Sequence, residues 1–294
     1  MSKIGFIGLG NMGRPMVSRL VKSGCSVKGF DIVEGLDQAA GCQTAATAKD
    51  AADGVKVLIT MLPSGKEVRD VYLGNGGVLA SLDANVIIID CSTIAVETAC
   101  EINAKATALG LDMVDAPVSG GVAGAEAGTL TFMVGGTRGG FERAKPILQI
   151  MGENIIHTGV AGSGEAVKLC NNMMLAVSMI GTSEALVLAE RLGVDCQTLF
   201  DVVSRSTGQS WALTSYCPAP GPVPKSPANK EFKPGFSTAM MLKDLRLAQR
   251  AGQSQFLSIP LTEAACQLYA DFDRRGNGEL DFSGIIELIR DMGR

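Results

Sequence analysis

Short apolar runs alternate with amphipathic stretches through the first half of the chain. Some runs are apolar at every position, as in Val86-Ile87-Ile88-Ile89, which is typical of parallel strands covered on both faces. The runs predict strands at residues 3–7, 26–31, 56–61, 85–90, 112–115, 129–134 and 154–158. The amphipathic stretches predict helices at residues 13–22, 47–53, 65–73, 95–109 and 140–151. This alternation predicts an α/β domain with a doubly wound, mostly parallel sheet of the Rossmann type.

The pattern changes after Gly164, where long helical periods replace the strand signals. Residues 165–192 are compatible with one long helix, and further helices are predicted at 195–204, 238–251, 260–271 and 282–290. We therefore predict a dinucleotide-binding domain at 1–163 and an all-helical domain at 164–294, joined by the long helix. The most apolar part of that helix, residues 173–183, is too short to span a bilayer and is expected to be buried.

Five of the eleven prolines fall within residues 218–227. This density excludes helix and strand and predicts an extended, semi-rigid loop. The loop is either a surface connector or a flap over a cleft.

Charge and cysteine content narrow the class of protein. The chain has 26 basic and 30 acidic residues, a net charge of −4 and no basic stripe, so neither nucleic acid nor membrane is an expected partner. The eight cysteines form no CxxC pair, and several, such as Cys91, Cys170 and Cys266, lie in apolar segments, which indicates buried, reduced thiols. Because the first strand begins at once, we expect a cytoplasmic bacterial protein, or a mitochondrial matrix protein if a transit peptide has been removed.

A glycine-rich turn, Gly8-Leu9-Gly10-Asn11-Met12-Gly13, joins the first predicted strand to the first predicted helix. Gly8 permits a tight turn, Gly10 lets the backbone approach a pyrophosphate, and Gly13 lets the helix pack on the strand. The helix N-terminus adds N–H groups and positive partial charge for phosphates. These features together predict a dinucleotide site, although an ordinary glycine-rich turn of another α/β protein has the same composition.

Asp31 ends the second predicted strand, 31 − 8 = 23 positions after Gly8, close to the spacing of about 20 expected for a ribose-binding carboxylate. A carboxylate there accepts hydrogen bonds from a ribose diol and repels a 2′-phosphate. Because Ile32, Val33 and Glu34 supply no cation, NAD is favoured over NADP as the cofactor.

His157 is the only histidine, so a histidine-rich zinc site and a Ser-His-Asp triad are both disfavoured. It ends a predicted strand, where a structural role is expected, although it is the only residue available if a histidine acid were required. A second candidate metal site, the calcium-loop-like segment 273–284, has Arg275 at its third position and Gly284 at its twelfth, so no metal is expected.

Lys168 is the best candidate for proton transfer, because its neighbours on the predicted long helix are apolar nearly all round. Burial lowers the pKa of a lysine, which makes its amine useful near neutral pH. Asn172 follows four residues later on the same helix face and can hold a substrate group beside it. The alternative is a lysine that reaches water from the start of the helix.

Polar groups also follow several predicted strands, whose carboxyl ends line the ligand crevice of a doubly wound sheet. Ser119 and the glycines of Asp115-Ala116-Pro117-Val118-Ser119-Gly120-Gly121 are suited to a carboxylate, or form a flexible turn. Leu62-Pro63 and Thr93 end two other strands, and Lys243-Asp244 lies on a later helix as either a cleft-closing pair or a solvated face.

The motifs together resemble those of the β-hydroxyacid dehydrogenase family over nearly the whole chain. The resemblance implies that Lys168 is catalytic and that NAD is the cofactor of a small hydroxy-acid substrate. It implies substrate contacts from Ser119, Gly120, Gly121 and Asn172. It implies cofactor contacts from Gly8, Gly10, Asn11, Met12, Gly13, Asp31, Leu62, Pro63, Thr93 and Lys243.

The resemblance is closer to family members that oxidise (S)-3-hydroxyisobutyrate to methylmalonate semialdehyde, a step of valine breakdown, than to tartronate semialdehyde reductases. A homodimer or homotetramer is also expected. The rival of a different class is a catalytically silent dinucleotide-binding sensor, which an intact Lys168 and Asn172 disfavour.

Overall fold

A computed structural model describes residues 2–292, with every side chain among them except that of Ala39. The chain divides into two compact units, Met1–Lys168 and Leu169–Arg294. The division lies within the long helix, whereas the boundary predicted from the sequence lies at the start of that helix.

The first unit is built on one nine-stranded sheet within the described residues. Its strands are β1 Lys3–Ile7, β2 Ser26–Phe30, β3 Gln43–Thr44, β4 Val57–Thr60, β5 Ile87–Asp90, β6 Asp112–Asp115, β7 Val118–Ser119, β8 Leu130–Gly135 and β9 Gly152–Gly159. The strand order is β3-β2-β1-β4-β5-β6-β8-β7, with β9 paired to β8. Every pairing is parallel except those of β8 with β6 and with β7.

Helices cover both faces of this sheet: α1 Gly13–Lys22, α2 Leu36–Ala40, α3 Ala48–Ala52, α4 Gly65–Leu73, α5 Val96–Ala108, α6 Gly121–Ala127 and α7 Arg138–Met151. Successive strand residues point to opposite faces and enter two separate cores. In β5, Ile87 and Ile89 pack in the core with α1 and α7, whereas Ile88 packs in the core with α4 and α5. Burial on both faces explains why the central strands are apolar at consecutive positions.

The predicted doubly wound sheet is confirmed, and β1 and β6 have the predicted bounds. The two-residue strands β3 and β7 and the short helices α2 and α6 were not predicted, because so few residues contain no readable period. The antiparallel pairing around β8 was also not predicted.

The second unit is helical and, over residues 169–292, contains no strand beyond an isolated bridge between Ser237 and Asp281. Its helices are the remainder of α8 Ser163–Arg191, then α9 Cys196–Val203, α10 Trp211–Thr214, α11 Thr238–Ser254, α12 Pro260–Phe272 and α13 Ile285–Asp291. By length and composition alone α8 could cross a membrane. However, Ala176, Met179 and Ile180 of α8 lie in the core of this unit with residues of α11 and α12, as expected for the central helix of a globular domain.

Two expectations about this part of the chain need correction. The proline-rich segment 218–227 lacks α-helix and strand, as predicted, but it is not extended, because Ser226 donates a hydrogen bond back to the Cys217 carbonyl at 2.5 Å. The eight cysteines are free thiols, and Cys91 and Cys266 are buried, but Cys170 is exposed since it lies on the outer face of α8.

Candidate active site

The glycine-rich turn after β1 needs two of its glycines for packing. Gly8 has φ +98°, and a Cβ there would lie 2.2 Å from the Met61 carbonyl oxygen. A Cβ on Gly13 would lie 1.9 Å from the Gly8 carbonyl oxygen, so α1 could not begin so close to the turn. A Cβ on Gly10, by contrast, would meet no atom within 4 Å. Packing therefore explains Gly8 and Gly13, whereas Gly10 keeps an open surface bare, as close approach by a pyrophosphate requires.

The first turn of α1 also fits a phosphate. Its N-cap residue, Met12, provides no side-chain cap, and no acidic residue lies in the first turn. The backbone N–H groups and the positive end of the helix dipole thus face no anionic side chain of that turn.

Asp31 lies where the sequence predicts a ribose-binding carboxylate, and it has a second role that the sequence analysis missed. Its Oδ2 accepts a hydrogen bond from the Leu9 N–H at 2.6 Å, and its Oδ1 accepts one from the Val33 N–H at 2.9 Å. The carboxylate therefore holds the glycine-rich turn against the end of β2.

A buried hydrogen-bond network fixes the two loops that contain Leu62 and Thr93. The Leu62 N–H donates to Ser92 Oγ at 2.9 Å, and Ser92 Oγ donates to Asp90 Oδ1 at 2.6 Å. Thr60 Oγ1 also donates to Asp90 Oδ1, at 2.7 Å, so the Tyr72 hydroxyl, 2.8 Å from Thr60, must donate to it. Because β4 and β5 are parallel neighbours, this network ties together the loops after both strands at the carboxyl edge of the sheet.

The electrostatics of this edge reflect burial. Asp90 is 1% exposed, and desolvation raises the pKa of its carboxyl above the ordinary 3.8, against the hydrogen bonds from Ser92 and Thr60. Burial likewise raises the pKa of the Tyr72 hydroxyl and of the Cys91 thiol well above their ordinary values. Cys91 is therefore a neutral packing residue.

The predicted carboxylate cradle follows β6 and β7. Gly120 has φ +129° and Gly121 has φ +62°, both of which favour glycine. Ser119 ends β7 and is half-buried, and Gly120 is exposed. The cradle is therefore a defined bend with accessible backbone.

Lys168 lies on α8 and is 7% exposed, so it does not reach freely into water from the helix start. Two buried carboxylates hold the first turn of this helix. Asp115 accepts hydrogen bonds from the N–H groups of Gly162 and Glu165, and Glu165 accepts one from the Ile94 N–H at 3.2 Å.

The second unit contributes a polar cluster of its own. Asn172 is 2% exposed, and its Nδ2 donates to Asp244 Oδ2 at 2.6 Å. Lys243 Nζ lies 3.6 Å from Asp244 Oδ1. The sequence analysis considered Asp244 only together with Lys243, as a cleft-closing pair or a solvated face, and did not predict its burial or its contact with Asn172. The signal for it was an acid on the apolar stripe of α11, between Met241 and Leu245, which are both fully buried.

The structure thus brings the predicted residues together in two sets. One set lies in the first unit, on loops at the carboxyl edge of the sheet and on the start of α8: the glycine-rich turn, Asp31, Leu62, Pro63, Thr93, Ser119, Gly120, Gly121 and Lys168. The other set, Asn172 and Lys243, is joined through Asp244 in the second unit.

Two other candidates have structural roles. His157 Nε2 donates to the Gly136 carbonyl at 2.9 Å, and its ring stacks on Phe141 at 4.9 Å, in agreement with the predicted structural role. In the calcium-loop-like segment, Arg275 pairs with Asp271 at 2.8 Å, so a cation occupies the position where a ligand would be required. A surface depression of about 380 Å³ near Lys56 and Asn85 lies at the amino ends of β4 and β5, the edge opposite the site residues.

Comparison with known proteins identifies both parts of the chain. The family described as the NAD-binding domain of 6-phosphogluconate dehydrogenase matches residues 3–159. The family described as NAD-binding of NADP-dependent 3-hydroxyisobutyrate dehydrogenase matches residues 162–289.

Similar proteins cover nearly the full length. A probable 3-hydroxyisobutyrate dehydrogenase of Mycobacterium tuberculosis is 48% identical, over 99% of this chain and 98% of the relative. The 3-hydroxyisobutyrate dehydrogenase of Pseudomonas aeruginosa is 46% identical over 99% of both, and the NAD-dependent L-serine dehydrogenase of that organism is 44% identical over 98% of both.

A solved structure agrees with this relationship. The 3-hydroxyisobutyrate dehydrogenase of Mycobacterium tuberculosis with L-serine superposes with a TM-score of 0.93 at 48% identity and covers 99% of both chains. With its glycine-rich dinucleotide turn, its helical second unit and these relatives, the chain belongs to the 3-hydroxyisobutyrate dehydrogenase family of NAD-dependent oxidoreductases.

Proposed function

We propose that this protein oxidises (S)-3-hydroxyisobutyrate to methylmalonate semialdehyde, a step of valine breakdown, with Lys168 as the general base. The observation that carries the proposal is the burial of Lys168 on α8, the first turn of which is held by the buried carboxylates of Asp115 and Glu165. The identity of 46–48% to proteins named as 3-hydroxyisobutyrate dehydrogenases supports the substrate.

NAD, when bound, supplies the acceptor for the hydride that leaves the hydroxyl-bearing carbon. The glycine-rich turn and α1 would hold its pyrophosphate, and Asp31 would hold its adenosine ribose. The remainder of the cofactor would be contacted by Leu62, Pro63, Thr93 and Lys243. Asp31 lies beside Ile32, which is 90% exposed and uncharged, so a 2′-phosphate would face a carboxylate with no neighbouring cation at that position. This supports NAD over NADP.

The chain's own groups manage the proton and the substrate. The neutral amine of Lys168 takes the hydroxyl proton as the carbonyl forms, and its ammonium returns the proton in the reverse reaction. Ser119 and the backbone N–H groups of Gly120 and Gly121 hold the substrate carboxylate. Asn172 holds the substrate hydroxyl beside Lys168, since residues four apart on a helix share a face.

L-Serine is a second candidate substrate. One relative is named as an L-serine dehydrogenase, and one similar structure is described with L-serine. L-Serine and 3-hydroxyisobutyrate share a carboxylate and a hydroxymethyl group, and they differ at C2, which bears an ammonium in serine and a methyl in hydroxyisobutyrate. The same cradle and base therefore serve both.

NAD reduction should be measured with 3-hydroxyisobutyrate, L-serine, glycerate and 3-hydroxypropionate side by side. We expect the highest kcat/KM with 3-hydroxyisobutyrate, and a higher value with L-serine or glycerate would overturn the substrate assignment. Lys168→Ala should lower kcat by about 10²–10⁴-fold, the usual contribution of a positioned acid or base, and leave NADH binding by fluorescence within about two-fold. Lys66→Ala, which removes an exposed lysine of α4, is the matched control. Normal turnover by Lys168→Ala, or no NADH binding to the native chain, would rule out the mechanism.

Two further features belong to the proposal. Three apolar side chains are more than half exposed, which supports a homodimer or homotetramer that light scattering can test: Met174 and Leu188 on α8 and Leu261 on α12.

The sequence identity to bacterial relatives, 44–48%, is higher than the identity to mitochondrial relatives, 38–43%. This difference supports a bacterial cytoplasmic enzyme.

A further inference from the structure

We propose that Asp115 is a positioning residue that sets the place of the Lys168 amine by gripping the first turn of α8. This inference rests on the proposed role of Lys168 as the base, but not on which hydroxy acid is the substrate. Asp115 ends β6, is 3% exposed and lies in the same motif as the carboxylate cradle, four residues before Ser119.

The grip uses both oxygens of the carboxylate. The Gly162 N–H donates to Oδ1 at 2.7 Å, and the Glu165 N–H donates to Oδ2 at 3.1 Å. These N–H groups flank the start of α8 at Ser163, where the helix itself supplies them no partner. A carboxylate from a separate strand therefore caps this helix, and the strand determines where the helix begins.

Two glycines pack closely around the Asp115 carboxylate. A Cβ on Gly135 of β8, which pairs with Asp115 of β6, would lie 2.6 Å from both carboxylate oxygens. A Cβ on Gly164 would lie 2.7 Å from Asp115 Oδ2 and 2.3 Å from the Met133 carbonyl oxygen. The backbones of β8 and α8 therefore pack directly against the Asp115 carboxylate, which leaves no space for this side chain to rotate.

Glu165 provides a second, independent anchor. Its side chain is fully buried, and its carboxylate accepts the Ile94 N–H, which belongs to the loop after β5 that also contains Thr93. The first turn of α8 is therefore fixed both to the end of β6, four residues before Ser119 of the cradle, and to the loop after β5, which contains Thr93.

Lys168 follows Glu165 by three residues, about 4.5 Å along the helix axis. A slip of the helix by one residue would rotate the lysine by about 100° and remove its amine from the reacting oxygen. The bidentate grip prevents this slip. Asp115 thereby couples the position of the base to the position of the cradle through one short motif.

The test exploits the need for two acceptor oxygens. Asp115→Asn keeps the shape of the side chain, but its NH₂ group would face one of the two N–H donors and repel it. We expect kcat to fall by about 10²-fold, because misplacement of a catalytic group by about 1 Å costs that much, with KM for the hydroxy acid and NADH affinity within about three-fold. Asp112→Asn is the matched control, since Asp112 begins the same strand and its carboxylate pairs with the surface residue Arg143.

A double-mutant cycle separates positioning from a merely structural role. If Asp115 acts through Lys168, Asp115→Asn should lower the residual kcat of Lys168→Ala by less than about two-fold. An equal 10²-fold loss in both backgrounds, or a normal kcat in Asp115→Asn with only a lowered Tm, would overturn the inference. The cycle is run with whichever hydroxy acid of the panel is turned over best, so a wrong substrate assignment does not affect it.

Hydrogen exchange gives a readout that does not depend on activity. In Asp115→Asn the amides of Gly162 and Glu165 should exchange at least ten-fold faster than in the native chain, while those of β1 remain unchanged. Unchanged exchange at both amides would show that the grip does not hold the helix. If exchange at both amides is unchanged and Lys168→Ala has lost its activity, only the proposed role of Asp115 is refuted. If Lys168→Ala keeps full activity, the proposed mechanism itself is refuted.

Discussion

Asn172 donates a hydrogen bond through Nδ2 to Oδ2 of Asp244 at 2.6 Å, although 72 residues separate them in the chain. Asn171 donates to the other end of the same amide, Oδ1 of Asn172, at 3.0 Å. Both Asn172 and Asp244 are 2% exposed. The amide proposed to hold the substrate hydroxyl is therefore oriented by a partner on each side.

Asp244→Ala should lower kcat/KM by about 10²-fold, because the Asn172 amide loses the acceptor that orients it, and small misplacements at a reacting centre cost that much. Steady-state NAD reduction is the measurement. Asn171→Ala, which removes the weaker partner, should lower kcat/KM by less than ten-fold. The opposite ranking of the two variants would contradict the assigned order of the two contacts.

Cofactor preference should depend on Asp31 and the position after it. Asp31→Asn with Ile32→Arg removes the carboxylate and adds a cation at an exposed position, so the NADP-to-NAD ratio of kcat/KM should rise by about 10²-fold. Ile32→Arg alone is the control, and it should move the ratio by less than ten-fold, since Asp31 remains. No change in the double variant would mean that the ribose does not bind beside Asp31.

An element could be predicted from the sequence when the residues that determine it lie within the element itself. Strands β1 and β5 could be predicted because burial on both faces leaves consecutive apolar residues such as Ile87 to Ile89. The glycine-rich turn could be predicted since each glycine has a steric or ligand-facing reason within its own motif. The strands β3 and β7 could not, because two residues contain no period.

The hidden parts of the site are those whose partners are distant in sequence. Asp90 meets Thr60 across 30 residues, Asp115 meets Gly162 across 47, and Asp244 meets Asn172 across 72. Each of these acids ends a strand or interrupts an apolar helix stripe, so the sequence shows that a polar group is buried there. It does not show which group it contacts, since that is decided by the topology of the sheet and by helix packing.

Lowering the pH should increase the stability of the native chain relative to that of the Asp90→Asn variant. Burial raises the pKa of Asp90, so the folded chain binds a proton there more tightly than the unfolded chain, whose carboxyl has a pKa of 3.8. The stability from this group is complete below pH 3.8 and is lost as the pH rises through the raised pKa of the folded state. The free energy of unfolding of the native chain, relative to that of Asp90→Asn, should therefore increase as the pH falls from 7 towards 4.

Urea unfolding at each pH measures this difference, and Asp50→Asn provides a control of opposite sign. The hydrogen bond from Lys28 lowers the pKa of Asp50, so its stabilisation is present above pH 3.8 and is lost as the pH falls through the lowered value. If the difference in unfolding free energy between the native chain and each variant changed with pH in the same direction for Asp90→Asn and Asp50→Asn, Asp90 would be behaving as a stabilised carboxylate rather than a desolvated one.

Asp281 should be among the most important polar residues for stability of the second unit. It is fully buried, and its carboxylate accepts five hydrogen bonds, from the Tyr216 hydroxyl, from the N–H groups of Gly235, Phe236 and Ser283, and from the Ser283 hydroxyl. Asp281→Ala leaves these donors without their acceptor, so we expect a loss of about 3 kcal/mol or more in the free energy of unfolding.

The only tryptophan, Trp211, stacks on Tyr216 at 4.9 Å, so its fluorescence during urea unfolding reports on this cluster. Tyr216→Phe is the matched control, because it removes one of the five donors and keeps the stacked ring, and it should cost only about 1 kcal/mol. Equal losses in the two variants would mean that the carboxylate serves Tyr216 alone. A far larger loss in Asp281→Ala would show that the Asp281 carboxylate instead joins three segments, those around residues 216, 235 and 283, because it accepts hydrogen bonds from all three.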